Sequence, residues 1–367
     1  MGAAAGERTT AGSQSILPKP FVPRKRKSVG NRRFESSPES DRHDQTRYAG
    51  HAVAPISRPQ FPARTDHNLT DGAEHFVLGE PVVEAGPSTS SITCVEASAP
   101  RLLSCRPMID AAKLQHFQAH GYLHLENWLD SSEVAAFANW TAELEAWPDT
   151  PGRWMRYYEK APGGDSRMLA RIENFLPHHE GIGGFFQGAR LKRLLEALTG
   201  ESFIVFKDKI NLKAPGGAGF TPHQDGPAYV GFGAETFVTA MLPIDPFTVE
   251  NGCLEMARAA STNQVLPQNP DGTVRQDVAD SLEWEALLAK PGDLILFDSW
   301  VPHRSARNQS SSRRRSYYVT YNPQAAGDHR EAYYARKREL FPQECERKPG
   351  VDYAKLGAQF NLANPFD

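Results

Sequence analysis

The sequence predicts a mainly β domain over residues 106–367, built as a double-sheet jelly roll with flanking helices. Two observations carry this. From Phe203 onward, apolar runs of strand length recur, and Gly or Pro turns separate them, which is the cadence of sandwiches and jelly rolls. Ahead of them lie two segments that begin with helix-capping residues, Asp110 and Asp130, so helices precede the strands and pack outside them.

In chain order, Asp110 caps a helix through Leu114, Phe117 and Gln118 that stops at Gly121. Tyr122–Leu125 is a strand. Asp130-Ser131-Ser132-Glu133 reads as a capping start for a helix running to Trp147, because the acid at the cap and the Glu three positions later satisfy each other's backbone donors. Residues 148–165 read as loop, broken by Pro151-Gly152 and Pro162-Gly163-Gly164. Met168–Phe175 is a strand and Arg190–Leu198 an amphipathic helix ended by Gly200. Further strands are Phe203–Lys213, a run around His223, Phe237–Ile244, Gly252–Met256, Gly292–Asp298 and Ser316–Tyr321; a helix at Glu331–Leu340 lies outside the roll.

Residues 1–105 are rich in Ser, Pro, Gly, Arg and Ala without a sustained apolar period, the composition of a disordered extension. Its basic run, Arg24-Lys25-Arg26-Lys27 with Arg32-Arg33, is compatible with a nuclear signal, part of a mitochondrial transit peptide or a plain solvated tail. Forty-one basic residues against 44 acidic give a formal charge of −3, so no net field points to nucleic acid or membrane. No apolar run reaches the ~18 residues of a membrane helix. The four cysteines, Cys94, Cys105, Cys253 and Cys345, lack C-x-x-C spacing, which fits a reducing compartment, with a cytoplasmic location as the expectation. A small-molecule substrate is the expected partner, and self-association is left open.

The candidate chemistry centres on His223-Gln224-Asp225. Residues i and i+2 of a strand share a face, so the imidazole and carboxylate are expected to project together. His303 follows at a later strand end. Two His and one carboxylate match the facial triad of non-haem Fe(II) oxygenases, which leaves metal positions free for a co-substrate and O2. An exposed turn with an unrelated His303 accounts for the same letters. On Phe203–Lys213, alternation puts Lys207, Lys209, Asn211 and Lys213 on one face; that face either meets water or lines an anion-binding interior.

Placed together, His223, Asp225, His303 and the arginines Arg313-Arg314-Arg315 make the chain resemble the phytanoyl-CoA dioxygenase family of Fe(II)/2-oxoglutarate oxygenases. The resemblance covers about residues 110–340. It implies a cupin-like double-stranded β-helix, with His223, Asp225 and His303 on Fe(II), and 2-oxoglutarate and O2 as co-substrates. The family's tail, an iron His followed by Ser, Asn and a 2-oxoglutarate-binding Arg two, five and eleven residues on, corresponds to His303, Ser305, Asn308 and Arg314. A planar guanidinium forks a carboxylate in a bidentate way, whereas Arg313 and Arg315 are expected to turn to the opposite face. Asn211, Lys213 and Ser305 are further co-substrate candidates. Asn251-Gly252-Cys253-Leu254-Glu255 is similar to the family's N-G-x-L strand, and Ala257–Thr262 departs from its usual Pro-Gly-Ser-His turn. With Asp225 present, hydroxylation is expected rather than halogenation.

Within the family the chain is similar to 2-aminoethylphosphonate dioxygenases, at Glu173-Asn174-Phe175, Phe206–Lys213, Pro302–Ser305, Tyr318–Asn322 and Gly327–Arg330. That implies hydroxylation of the carbon next to phosphorus. Arg171, Lys207 and Lys209 are the candidate phosphonate partners; Glu173, Asp208, Tyr157 and Tyr158 are candidates for an amine. The same chemistry on an acyl-CoA or natural product, and a jelly-roll binding module without turnover, are the alternatives.

Overall fold

The structure is a computed structural model that describes residues 109–229, 231–258, 264–360 and residue 362. The N-terminal extension with its basic run, Cys94 and Cys105, and most of the Ala257–Thr262 turn lie outside the described residues.

Among the described residues, eleven strands form two antiparallel sheets. They are β1 (Tyr122–Leu125), β2 (Met155–Lys160), β3 (Arg167–Glu173), β4 (Phe203–Lys213), β5 (Phe220–His223), β6 (Val238–Pro243), β7 (Leu254–Ala257), β8 (Trp284–Leu287), β9 (Leu294–Asp298), β10 (His303–Ser305) and β11 (Arg314–Pro323). The larger sheet runs β1-β9-β6-β11-β4-β3-β2 and the smaller β5-β10-β7-β8. The helices are α1 (Ala111–His120), α2 (Ser131–Ala146), α3 (Glu180–Phe186), α4 (Ala189–Thr199), α5 (Gly226–Tyr229), α6 (Gln276–Ala279), α7 (Arg330–Leu340) and α8 (Tyr353–Leu356).

The two faces of the larger sheet have different jobs. One presents Ile172, Ile210, Leu212, Val319 and Leu296 to Phe117, Phe137, Leu144, Phe186 and Leu194 of α1–α4, forming the main apolar core. The other carries Met241, Ile295, Phe297 and Tyr318, which pack against Leu254, Met256 and Leu287 of the smaller sheet. The interior of the roll lies between the sheets, and strand alternation decides which residues enter it. This is the jelly-roll architecture expected from the sequence.

The caps formed as read. The Asp110 side chain accepts from the Lys113 backbone N–H, and Gly121 ends α1 in the left-handed region at φ 75°. Asp130 and Glu133 form a reciprocal capping box on α2. Three of the elements that the sequence did not predict are β2, β8 and α3. The predicted loop 148–165 contains β2, an edge strand held by its ladder to β3. β8 pairs only with β7 among the described strands. α3 forms despite Gly181, Gly183 and Gly184, because His179 Nδ1 accepts from the Ile182 N–H at 3.2 Å and Ile182 and Phe186 are fully buried. Tertiary packing outweighs intrinsic helix propensity in this short segment.

Candidate metal centre and substrate cavity

β5 and β10 are neighbours, and their register sets His223 directly opposite His303. The two imidazole rings stand 4.2 Å apart between centroids. Ligand atoms of His223, Asp225 and His303 all lie within 4.8 Å of one another, and all three residues are buried. The sequence argument for bringing His223 and Asp225 together needs correction. β5 ends at His223, so Asp225 lies beyond the strand, at the turn that opens α5. That turn is fixed by the Gly226 N–H donating to the Ser299 carbonyl at 2.8 Å. Gln224, between the ligands, donates to the Trp300 carbonyl at 2.6 Å and accepts from the Leu266 N–H at 2.8 Å. A β-carbon on Gly226 would meet the Trp300 ring at 3.0 Å, which explains the glycine there.

The protonation states suit a metal. His223 Nδ1 is 2.7 Å from the Thr221 carbonyl, and His303 Nδ1 is 3.0 Å from that of Val301. A carbonyl can only accept, so each Nδ1 carries the hydrogen and each Nε2 is left as a bare donor for a cation. Burial, with His303 next to it, pushes His223 down to about 3, and burial lowers His303 as well. For Asp225, burial acts upward, but Lys209, His303 and Lys207 outweigh it and hold the carboxyl well below the usual range. Two neutral imidazoles and one carboxylate form a donor set that fits Fe(II).

A second feature fits a dicarboxylate co-substrate. Arg314 is 1% exposed, its guanidinium lies 4.6 Å from the Phe247 ring centre, and its Nε and Nη1 have no hydrogen-bond partner. Ser316, on the same face of β11, has a buried hydroxyl without a partner. Buried donors left unpaired are costly, and an incoming carboxylate would satisfy them. Lys213 faces Arg314 across β4 and β11. Its ammonium donates to Ser305 Oγ at 2.8 Å and to the Ala306 carbonyl at 2.6 Å. Burial, then Arg314, brings Lys213 down to about 6. Asn308 donates to the Lys213 and Ser312 carbonyls, bracing the loop before β11. Asn211 accepts from Arg171 Nε at 3.0 Å. Arg313 pairs with Glu145, and Arg315 with Asp245 and Glu145, on the outer side.

Beside the triad is a small cavity that also takes in His223 and Asp225. Arg171, Lys207 and Lys209 line it, together with Glu173, Tyr229 and Lys337. Lys207 sits over the Tyr229 ring at 4.3 Å and Lys209 over the Tyr318 ring at 5.2 Å. Burial and then Lys207 bring Lys209 down to about 7. The amine candidates separate. Asp208 lies on the opposite face of β4, where it accepts from the Phe175 N–H at 2.8 Å and pairs with Arg330. The Tyr157 hydroxyl donates to the Phe341 carbonyl, and that of Tyr158 to Asp149. Glu173 does line the cavity, but both its oxygens receive the Lys337 ammonium at 2.7 Å, with Arg171 at 3.4 Å. Burial acts upward on Glu173, and Lys337 and Arg171 override it to about 2. Lys337 and Tyr229 were not among the sequence-derived site residues. The helix that carries Lys337 was expected, but nothing local says that it folds back onto β3 and β4.

Lys337 and Glu173 are both almost fully buried, at 1% exposure each. Glu173→Leu alone is therefore expected to cost about 3–5 kcal/mol, because it leaves a buried ammonium uncompensated. Glu173→Leu with Lys337→Met is expected to recover most of that loss. Urea unfolding of the two single variants and the double variant checks this; additive losses would mean the pair is not coupled.

Comparison with known proteins agrees with this geometry. Residues 117–316 match the phytanoyl-CoA dioxygenase (PhyH) family model. The 2-aminoethylphosphonate dioxygenase of uncultured bacterium HF130_AEPn_1 is 44% identical over 246 residues, covering 67% of this chain and 94% of that protein. The methylphosphonate hydroxylase of Gimesia maris is 37% identical over 232 residues, covering 63% and 88%. Among solved structures, EctD from S. alaskensis with 2-oxoglutarate and 5-hydroxyectoine superposes with a TM-score of 0.51 at 21% identity, over 59% of this chain and 77% of that one. The match to the family model, the identity to its named oxygenases and the buried His-Asp-His triad lead to one conclusion: the chain belongs to the phytanoyl-CoA dioxygenase family and is an iron- and 2-oxoglutarate-dependent dioxygenase.

Proposed function

We propose that the protein hydroxylates a small phosphonate, with 2-aminoethylphosphonate as the leading substrate. The observation that carries this is the cation excess in the cavity beside the triad. Arg171, Lys207, Lys209 and Lys337 line it, against Glu173 and the ligand Asp225. Among the described residues Lys207 and Lys209 form no ion pair or hydrogen bond, and each holds its ammonium over an aromatic ring. Enclosed ammonium groups with no counter-charge in contact are unfavourable; Asp225 and Glu173 compensate these two in part, and a phosphonate dianion would supply the rest. The two relatives named for phosphonate chemistry support the same reading.

His223, Asp225 and His303 would hold the iron, and Arg314, with Ser316 beside it, would receive the far carboxylate of 2-oxoglutarate. Iron and 2-oxoglutarate together would supply the oxidation: one atom of O2 ends in the substrate C–OH and the other in succinate, as 2-oxoglutarate loses CO2. The chain's own contribution is placement. Lys207 and Lys209 project from β4 beside Asp225, so a phosphonate bound to them sets the neighbouring carbon toward the triad. Phe220 and Tyr333 narrow the same cavity. Glu173 is already engaged by Lys337 and Arg171, so the phosphonate is the group this cavity reads. The acyl-CoA alternative lacks support here, since a long acyl chain needs an aliphatic lining.

The test is a substrate panel that reads succinate formed per substrate consumed. Turnover is expected with 2-aminoethylphosphonate; turnover with a fatty acyl-CoA and with no phosphonate would overturn the proposal. Lys207→Ala is expected to raise the phosphonate KM about tenfold or more, the scale of one charge-assisted hydrogen bond. Its kcat should change much less, because the interaction is made in the ground state as well as the transition state.

A further inference from the structure

Tyr229 has no place in the roles described so far. It lies four residues after Asp225, at the end of α5, and lines the cavity beside the triad. It is 1% exposed, and its buried hydroxyl makes no hydrogen bond, although the Thr320 and Asp225 side chains lie near it. Its ring is wedged between Phe206 and Phe237, with centroids at 5.4 and 5.1 Å, both near edge-on. The ring therefore cannot swing away to satisfy the hydroxyl elsewhere. Its position follows that of the metal-binding turn, since the Ala228 N–H donates to the Asp225 carbonyl at 3.0 Å. Lys207 holds its ammonium over the same ring. A phenol, with an ordinary pKa of about 10, is protonated at physiological pH, so the hydroxyl is available as a donor.

A neutral donor that is rigid, buried and unpaired, next to an unpaired ammonium, is built for an anion that carries several acceptor oxygens. Resting on the phosphonate reading above, we propose that the Tyr229 hydroxyl is a substrate-binding donor, acting with Lys207 on the phosphonate group. Lys207 contributes charge, and Tyr229 contributes direction: it selects an anion with an oxygen aimed at a fixed point. Its sequence position, four residues past Asp225, ties that point to the metal site and hence to the carbon that reacts.

The test uses Tyr229→Phe, which keeps the ring and its aromatic contacts and removes only the hydroxyl. Binding of 2-aminoethylphosphonate and of methylphosphonate to the Fe(II)- and 2-oxoglutarate-loaded enzyme is measured by calorimetry without oxygen, alongside Fe(II) affinity. Both phosphonates are expected to bind about tenfold or more weakly to Tyr229→Phe, as loss of a hydrogen bond to a charged group implies, with Fe(II) affinity unchanged. Equal phosphonate binding by the two proteins would overturn the assignment of Tyr229 while leaving the phosphonate reading intact. Weakened Fe(II) binding with unchanged phosphonate binding would instead make Tyr229 a support for Asp225, and would also overturn it. A wild-type enzyme that binds neither phosphonate would bring down the phosphonate reading and this inference together.

Discussion

Asp225→Ala is expected to abolish hydroxylation and to weaken Fe(II) binding by more than about 100-fold. Asp225 is the one carboxylate of the triad, 7% exposed, and it faces two neutral imidazoles. Substitutions of outer-shell partners typically cost about 10–100-fold in metal affinity, and loss of a direct anionic ligand should exceed that. Electrostatics adds to the effect. Lys209 and Lys207 lower the Asp225 pKa because they stabilise its charge; with that charge gone, they become uncompensated cations beside a site that must accept a dication. Iron content after anaerobic loading and succinate release are the measurements. Undiminished hydroxylation by Asp225→Ala would sink the triad. A variant that keeps iron but uncouples succinate release from product would place Asp225 in orienting the co-substrate.

Arg314→Ala is expected to raise the KM for 2-oxoglutarate by about 30-fold or more. Truncating one partner of a buried charge pair costs about 2–5 kcal/mol, and each 1.4 kcal/mol is about tenfold. Arg314 has the burial and the unpaired Nε and Nη1 that such a pair requires. Arg315→Ala and Arg313→Ala are expected to change that KM by less than about threefold, because their guanidinium groups are spent on Asp245 and Glu145, where partly exposed ion pairs contribute little. A second readout separates binding from a structural role. A buried cation without a partner destabilises the protein that holds it, so Arg314→Ala is expected to leave the Tm of the co-substrate-free protein unchanged or higher. Equal KM effects from all three arginines would point to a diffuse basic patch.

Period-two alternation was enough to read the inner face of β4 from the sequence. Lys207, Lys209, Asn211 and Lys213 do face inward together, since nothing interrupts the pleat within Lys207–Lys213. The same rule separated Arg314 from Arg315. It failed at His223 and Asp225, which meet through a turn and not along a strand; the spacing pointed to the right pair by the wrong geometry.

What the sequence by itself determined is therefore local: the caps at Asp110 and Asp130, the strand faces, the H-x-D pair and the spacing from His303 to Arg314. Only the tertiary structure decided that α7 returns to put Lys337 against Glu173, 164 residues away in the chain, and that α5 locks Tyr229 beside Lys207. It also decided that β2, β8 and α3 exist, since ladders and buried contacts hold them more than their own propensities do. The physical reason is common to all of these. Local signals arise from sterics and hydrogen bonds within a few residues, whereas a closed cavity is made by side chains from distant segments, whose burial is settled only when those segments pack.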